Sequence, residues 1–133
     1  SVAPAGKAFA GQADSGGEAR GEAMFARLDR QDERLRAMVN NGGVLFTQSR
    51  VAALTAERIN RVLTTNVAGY FRCCREAVKR MAIPHGGQGG AIVNVSSAAA
   101  RLGSPGEYVD YAASKGAIDT LTTGLSLAAC CRP

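Results

Sequence analysis

The stretch EYVDYAASKGAI, residues 107 to 118, places Tyr111 and Lys115 four positions apart. On a helix, residues four apart share a face about 6 Å up the axis, so the lysine amine can approach the tyrosine ring from one turn below. A free phenol titrates near pH ~10, and a nearby ammonium favours its phenolate form. Each unit of lowering corresponds to roughly 1.4 kcal/mol, which needs a close and partly desolvated cation rather than a solvated one. A tyrosine held this way can act as general acid or base near neutral pH. Tyr108 is a competing phenol, but its neighbour four positions on is Ala112, so Tyr111 is the better candidate. The same spacing also occurs on ordinary amphipathic helices, and the surrounding residues have to decide between the two.

Two of those residues carry weight. Ser97 closes the strand-like run AIVNVSS and can offer a hydroxyl to the same carbonyl oxygen that Tyr111 would protonate. Asn66 lies within an apolar helix face, where a buried amide needs partners. The alternative for Asn66 is a structural hydrogen bond to a neighbouring loop.

The elements that must position these residues follow from periodicity. KAFAGQAD, residues 7 to 14, reads as a short strand ending at Asp14. Residues 15 to 37 carry a loosely helical apolar stripe of Ala23, Phe25, Ala26, Leu28 and Leu35 among charges. Ala37, Met38 and Val39 form a brief buried-strand run, broken by Asn40-Asn41-Gly42-Gly43, residue types that accept tight turns. A long helix starts at Thr55 and runs to about residue 82, before Pro84 and the glycines that follow. Residues 91 to 97 are the strongest strand, and residues 109 to 127 a second long helix. Alternating strands and helices predict an α/β fold with a parallel sheet, whose ligands bind beyond the carboxyl ends of the strands. Asp14, the Asn-Asn-Gly-Gly turn and Ser96–Ser97 all fall at such ends.

Composition narrows the class. The chain has 133 residues, 46% hydrophobic and 20% charged, enough for one domain with a core. Its net charge of +5 is dispersed among acidic residues and few aromatics, which argues against nucleic acid. No apolar run reaches the ~18 residues that span a bilayer, and the first residues lack signal-peptide order, so no membrane association and a cytoplasmic location are expected. Cys73–Cys74 and Cys130–Cys131 are adjacent pairs that point to different faces, and the lone His85 sits in a glycine-rich loop; no metal site is expected.

Taken together, the motifs resemble those of the short-chain dehydrogenase/reductase family. Its NNAG turn is matched by Asn40-Asn41-Gly42-Gly43, its helix asparagine motif by TNVAG with Asn66, its strand-serine motif by IVNVSS with Ser97, and YxxSK by Tyr111 to Lys115. The resemblance implies a partial Rossmann-like, doubly wound parallel sheet comprising strands three to five and their helices. It implies an oxidoreductase that moves hydride between NAD or NADP and a small-molecule carbonyl or alcohol. Tyr111 would exchange the proton, and Lys115 would lower its pKa and bind the nicotinamide ribose. Ser97 would hold the substrate oxygen, and Asn66 would anchor a water chain to the lysine. Asp14, Asn41 and Gly42, with Tyr111 and Lys115, would line the cofactor, Asp14 at the adenine. Helices 55–82 and 109–127 would be candidates for a homo-oligomer interface. Ser97 lies fourteen positions before Tyr111, one more than the family pattern, which keeps Ser96 as an alternative.

The family's glycine-rich G-x-x-x-G-x-G turn, which holds the pyrophosphate at a helix N-terminus, has no counterpart here. The expectation is therefore a single partial domain over 1–133, truncated at both ends, with irregular ends at 1–7 and 128–133. Dinucleotide binding by the isolated chain should be weak or absent, and the Ala8–Ala13 strand displaced or abnormally paired. The competing reading is a non-catalytic fragment or a helix-mediated interaction module.

Overall fold

The computed structural model describes residues 17–30 and 34–130. Two short parallel strands, β1 (Ala37–Asn40) and β2 (Ala91–Asn94), pair in register, Ala37 with Ala91 through Asn40 with Asn94. The segment between them contains a long helical run, the strand–helix–strand crossover that parallel pairing requires. This is a partial α/β, Rossmann-like arrangement, as expected. The strand read at residues 7–14, Asp14 included, lies outside the described residues.

Strand alternation decides which face is covered. Met38 and Ile92 point to one side and pack on Tyr70, Cys74, Ile118 and Leu121, with Leu125 beside them. Asn40 and Asn94 share that side and satisfy each other, Asn40 Nδ2 donating to Asn94 Oδ1 at 2.8 Å, while Asn94 Nδ2 donates to Thr122 at 3.0 Å. Val39 and Val93 point the other way and are exposed.

α1 (Glu18–Asp29) is shorter than the stripe over residues 15–37 suggested. It buries Phe25, over whose ring the Arg80 guanidinium sits at 5.0 Å. Leu35 belongs to no helix: residues 34–36 lead into β1, and the Arg36 carbonyl accepts from Ala91 N–H at 3.0 Å. Sheet pairing thus overrides helical propensity there. β2 also stops three residues short of the expected Ser97. Val95 N–H still reaches the Asn40 carbonyl, but β1 ends there and leaves Ser96 and Ser97 no strand to pair with.

The long helix is continuous but not uniform. α2 (Ala56–Leu63) is capped by Thr55, whose hydroxyl accepts from Arg58 N–H at 3.2 Å. A π-helical turn, Thr64–Ala68, follows, and α3 (Gly69–Met81) completes the run. A π turn inserts one residue and rotates the helix face, a feature found often at functional sites. Beyond Met81, the backbone crosses closely at Gly90, where a Cβ would lie 2.8 Å from the Arg36 carbonyl oxygen and 2.7 Å from Met81 Sδ. The glycine there serves packing.

Two α-helices follow β2. α4 (Ala99–Leu102) is a short helix that ends at Gly103 with φ 73°. α5 (Val109–Cys130) packs on α2, α4, the π turn and β2, and continues past the expected end at Leu127.

Candidate active site

Lys115 projects from α5 into the core and is only 3% exposed. Its Nζ donates to the Val95 carbonyl, just beyond β2, at 2.7 Å and to the Tyr70 hydroxyl of α3 at 3.3 Å. The Tyr70 hydroxyl in turn donates to the same Val95 carbonyl at 3.2 Å. The ammonium stands 5.2 Å from the Tyr70 ring centroid and 5.8 Å from that of Tyr111, within cation–π reach of both rings. Burial holds the Lys115 pKa below its ordinary 10.5, with Asp119 opposing. Burial also pushes the Tyr70 phenol above its ordinary 10, with Tyr111 and the two cysteines adding to the effect.

Tyr111 is one turn up α5 and half-buried, its ring edge-on to Tyr108 at 6.1 Å between centroids. Among the described residues nothing hydrogen-bonds its hydroxyl, which leaves that group open to a ligand. The main chain of Tyr111 is fixed from below by the Ser114 hydroxyl, which donates to the Tyr111 carbonyl at 2.6 Å.

Asn66, fully buried in the π turn, ties this turn of α5 to the segment after β1. Its Oδ1 accepts from Val44 N–H at 2.7 Å. Its Nδ2 donates to the Val44 carbonyl at 2.9 Å and to Ser114 Oγ at 3.2 Å. Asn66 therefore reaches Tyr111 through Ser114; its side-chain hydrogen bonds go to Val44 and Ser114, not to Lys115. Gly43 makes room for it, since a Cβ there would lie 3.3 Å from Asn66 Oδ1. Asn41 and Gly42 are exposed at the carboxyl end of β1, and a Cβ on Gly42 would meet nothing within 4 Å. That stretch is an open rim.

The two serines after β2 face different partners. Ser96 Oγ donates to the Lys115 carbonyl at 3.3 Å. Ser97 Oγ accepts from Ala99 N–H at 3.2 Å, starting α4 and leaving its own proton free to donate. At the N-terminus of α5, Arg58 grips Asp110 at 2.8 and 3.3 Å and the Thr47 carbonyl at 2.7 Å. The Arg58 hydrogen bond holds the Asp110 carboxyl below its ordinary range and fixes the residue next to Tyr111. The residues read from sequence as site candidates are thus distributed around one end of the sheet: Asn66, Tyr111 and Lys115 linked through Ser114 and α5, Asn41 and Gly42 on the rim. Tyr70 and Ser114 had been given no part in it. Tyr70 follows Asn66 by four positions on the same helix, and Ser114 precedes Lys115, so their spacing was the available signal.

A family model described as short chain dehydrogenase matches residues 2–129. The chain belongs to the short-chain dehydrogenase family. Among its relatives, an uncharacterized oxidoreductase of Escherichia coli, YgfF, is 74% identical over 122 residues, covering 92% of this chain and 49% of its own length. A 3beta-hydroxysteroid dehydrogenase of Mediterraneibacter gnavus is 37% identical over 80% of this chain and 37% of its own. Among solved structures, an NAD+-bound xylitol dehydrogenase superposes with a TM-score of 0.80 at 28% identity, covering 89% of this chain and 44% of that one. The NADP-bound protein ElxO superposes with a TM-score of 0.81 at 27% identity, covering 90% and 47%. The chain spans half or less of the length of these relatives. Among the described residues there is no cluster of metal-binding side chains and no helix long and apolar enough to cross a membrane.

Proposed function

We propose that the chain carries the acid–base centre of a cytoplasmic NAD(P)-dependent oxidoreductase that interconverts a carbonyl compound and its alcohol. The observation that carries this reading is the desolvated Lys115 ammonium 5.8 Å from the Tyr111 ring, whose hydroxyl has no hydrogen-bond partner among the described residues. The dinucleotide, when bound, supplies or accepts the hydride. In the reducing direction Tyr111 gives its hydroxyl proton to the carbonyl oxygen as that oxygen gains electron density. Ser97 donates a second hydrogen bond to the same oxygen, which its free proton supports over Ser96. Lys115 stabilises the phenolate that Tyr111 leaves behind, and Asn66 with Ser114 keeps Tyr111 in place. Alcohol oxidation runs these proton steps backwards.

The residues fit the nicotinamide–ribose end of the cofactor. An ammonium has three N–H donors and Lys115 directs two of them at protein, so the third is available to a ribose hydroxyl. Asn41 and Gly42 supply an open rim at the carboxyl end of β1. The sequence carries no G-x-x-x-G-x-G turn, and weak dinucleotide binding by this chain alone is expected. Incubation with NADH or NADPH at millimolar concentration and a panel of aldehydes and ketones tests the reading, with product alcohol measured by mass spectrometry. Alcohol that forms only when dinucleotide is present is the expected result; no alcohol from any member of the panel contradicts it.

A second reading, association through the long helices, has its own support. Leu63 and Phe71 are exposed, Val67 lies between them, and the three form an apolar strip across the π turn. If this strip joins two copies, Phe71→Asp shifts the chain to monomer in light scattering, with its circular dichroism unchanged. An unchanged mass places association elsewhere.

A further inference from the structure

We infer that Tyr70 is a positioning residue for Lys115: its hydroxyl holds the ammonium against the carboxyl end of β2, between α3 and α5. This deepens the reading of Lys115 given above and rests on it.

Three observations converge. The Tyr70 hydroxyl accepts from Lys115 Nζ at 3.3 Å and donates to the Val95 carbonyl at 3.2 Å, while Nζ donates to that carbonyl at 2.7 Å, which closes a three-membered ring of hydrogen bonds. All of its side chains are buried, Tyr70 and Lys115 each to 3% exposure. The Tyr70 ring face also lies 5.2 Å from the ammonium, so it offers cation–π attraction as well as an acceptor. A lysine with four flexible methylenes would otherwise be free to take other rotamers. Held as it is, it leaves its remaining N–H at the site and stays within 5.8 Å of the Tyr111 ring.

The groups that face the ammonium are few. α3 contributes Tyr70, with the neutral thiols of Cys73 and Cys74 behind it, their pKa values raised by burial. The segment after β2 contributes the Val95 carbonyl, which does not titrate. α5 itself contributes Tyr111 one turn up and Asp119 one turn down, and Asp119 favours the charged lysine. Within this set Tyr70 supplies the only side-chain acceptor hydrogen-bonded to Nζ among the described residues. Its removal withdraws support from the charged form and lowers the pKa of Lys115 further.

The test is a nuclear magnetic resonance titration of Lys115 in the uniformly labelled chain, without dinucleotide, the signal assigned by its loss in Lys115→Met. Tyr70→Phe keeps the ring and removes the hydroxyl, and is expected to lower the Lys115 midpoint by about half a unit or more. Its far-ultraviolet circular dichroism should stay unchanged. An unaltered midpoint in a folded Tyr70→Phe overturns the inference. A second measurement needs no substitution: in the wild-type chain the Tyr70 Cζ shift should follow the Lys115 titration with the same midpoint, and independence of the two overturns the inference even if Tyr70→Phe does not fold. Neither measurement requires catalysis. Failure of the oxidoreductase reading would show instead as absent alcohol formation while the Tyr70–Lys115 coupling persists.

Discussion

At the residue scale, the cost of placing Lys115 is visible in its own protonation. Its pKa is lower in the fold than in the unfolded chain, so between those two values the unfolded chain binds more protons and stability rises with pH. Below that window the penalty for burying the ammonium is fully present. Lys115→Met removes the charge, and Tyr70 still donates to the Val95 carbonyl, so no buried acceptor is stranded. We expect this variant to be more stable than wild type at pH 7 by on the order of 1 kcal/mol, a rise of several degrees in Tm. The difference should shrink as pH approaches the ordinary lysine value, and thermal melts across pH 7 to 11 check it; lower stability at pH 7 contradicts it. What the sequence revealed at this scale was the pairing of residue types. Tyr111 and Lys115 could be matched because helical spacing fixes which side chains share a face. That Lys115 would turn to Tyr70 and Val95 was not legible, because it depends on how α3 and β2 pack across α5, contacts distant in sequence.

Elements hold this arrangement through charge as well as apolar packing. On α3, Glu76 accepts from Lys79 at 2.7 Å and from Arg80 at 2.9 Å, and Arg80 reaches across to Asp29 at the end of α1 at 2.6 and 2.7 Å. Hydrogen bonds from Lys79 and Arg80 hold the Glu76 carboxyl down to about 2 against an ordinary 4.5. A lowered carboxylate contributes stability that is present above the unfolded value and is lost as pH falls from about 4.5 toward 2. Glu76→Gln should therefore destabilise the chain at pH 7 by about 1–2 kcal/mol, a value reduced by the exposure of Lys79. In denaturant melts at several pH values, its deficit should close by pH 2; a deficit that does not vary with pH would refute the ion-pair account. Periodicity located the long helices and the two described strands well, because each buries one regular face. It failed at residues 34–36 and 95–97. There, strand pairing of Arg36 with Ala91, the end of β1 at Asn40, and a serine side chain starting α4 decide the local structure. The π turn around Asn66 was equally hidden, since it adds a residue to a helix without breaking the apolar pattern.

For the whole molecule, family membership and partial fold were the most legible features, because four motifs recur in order and their spacing encodes the sheet-end geometry. The described residues cover one side of β1 and β2 with α3 and α5 and leave Val39 and Val93 exposed on the other, where parallel sheets are ordinarily covered on both. The residues proposed for the acid–base centre are nevertheless held in place: Lys115 is buried, the Asn66 amide is hydrogen-bonded, and among the described residues nothing pairs with the Tyr111 hydroxyl. The most direct test of that centre is deuteride transfer from 4-deuterated NADH or NADPH to a carbonyl substrate, at millimolar dinucleotide, comparing wild type with Tyr111→Phe. Wild-type chain should give alcohol deuterated at the carbinol carbon, and Tyr111→Phe should slow its formation by about 10²–10⁴-fold while keeping the wild-type circular dichroism. Equal rates of labelling in the two proteins would contradict the assignment of Tyr111 as the proton donor.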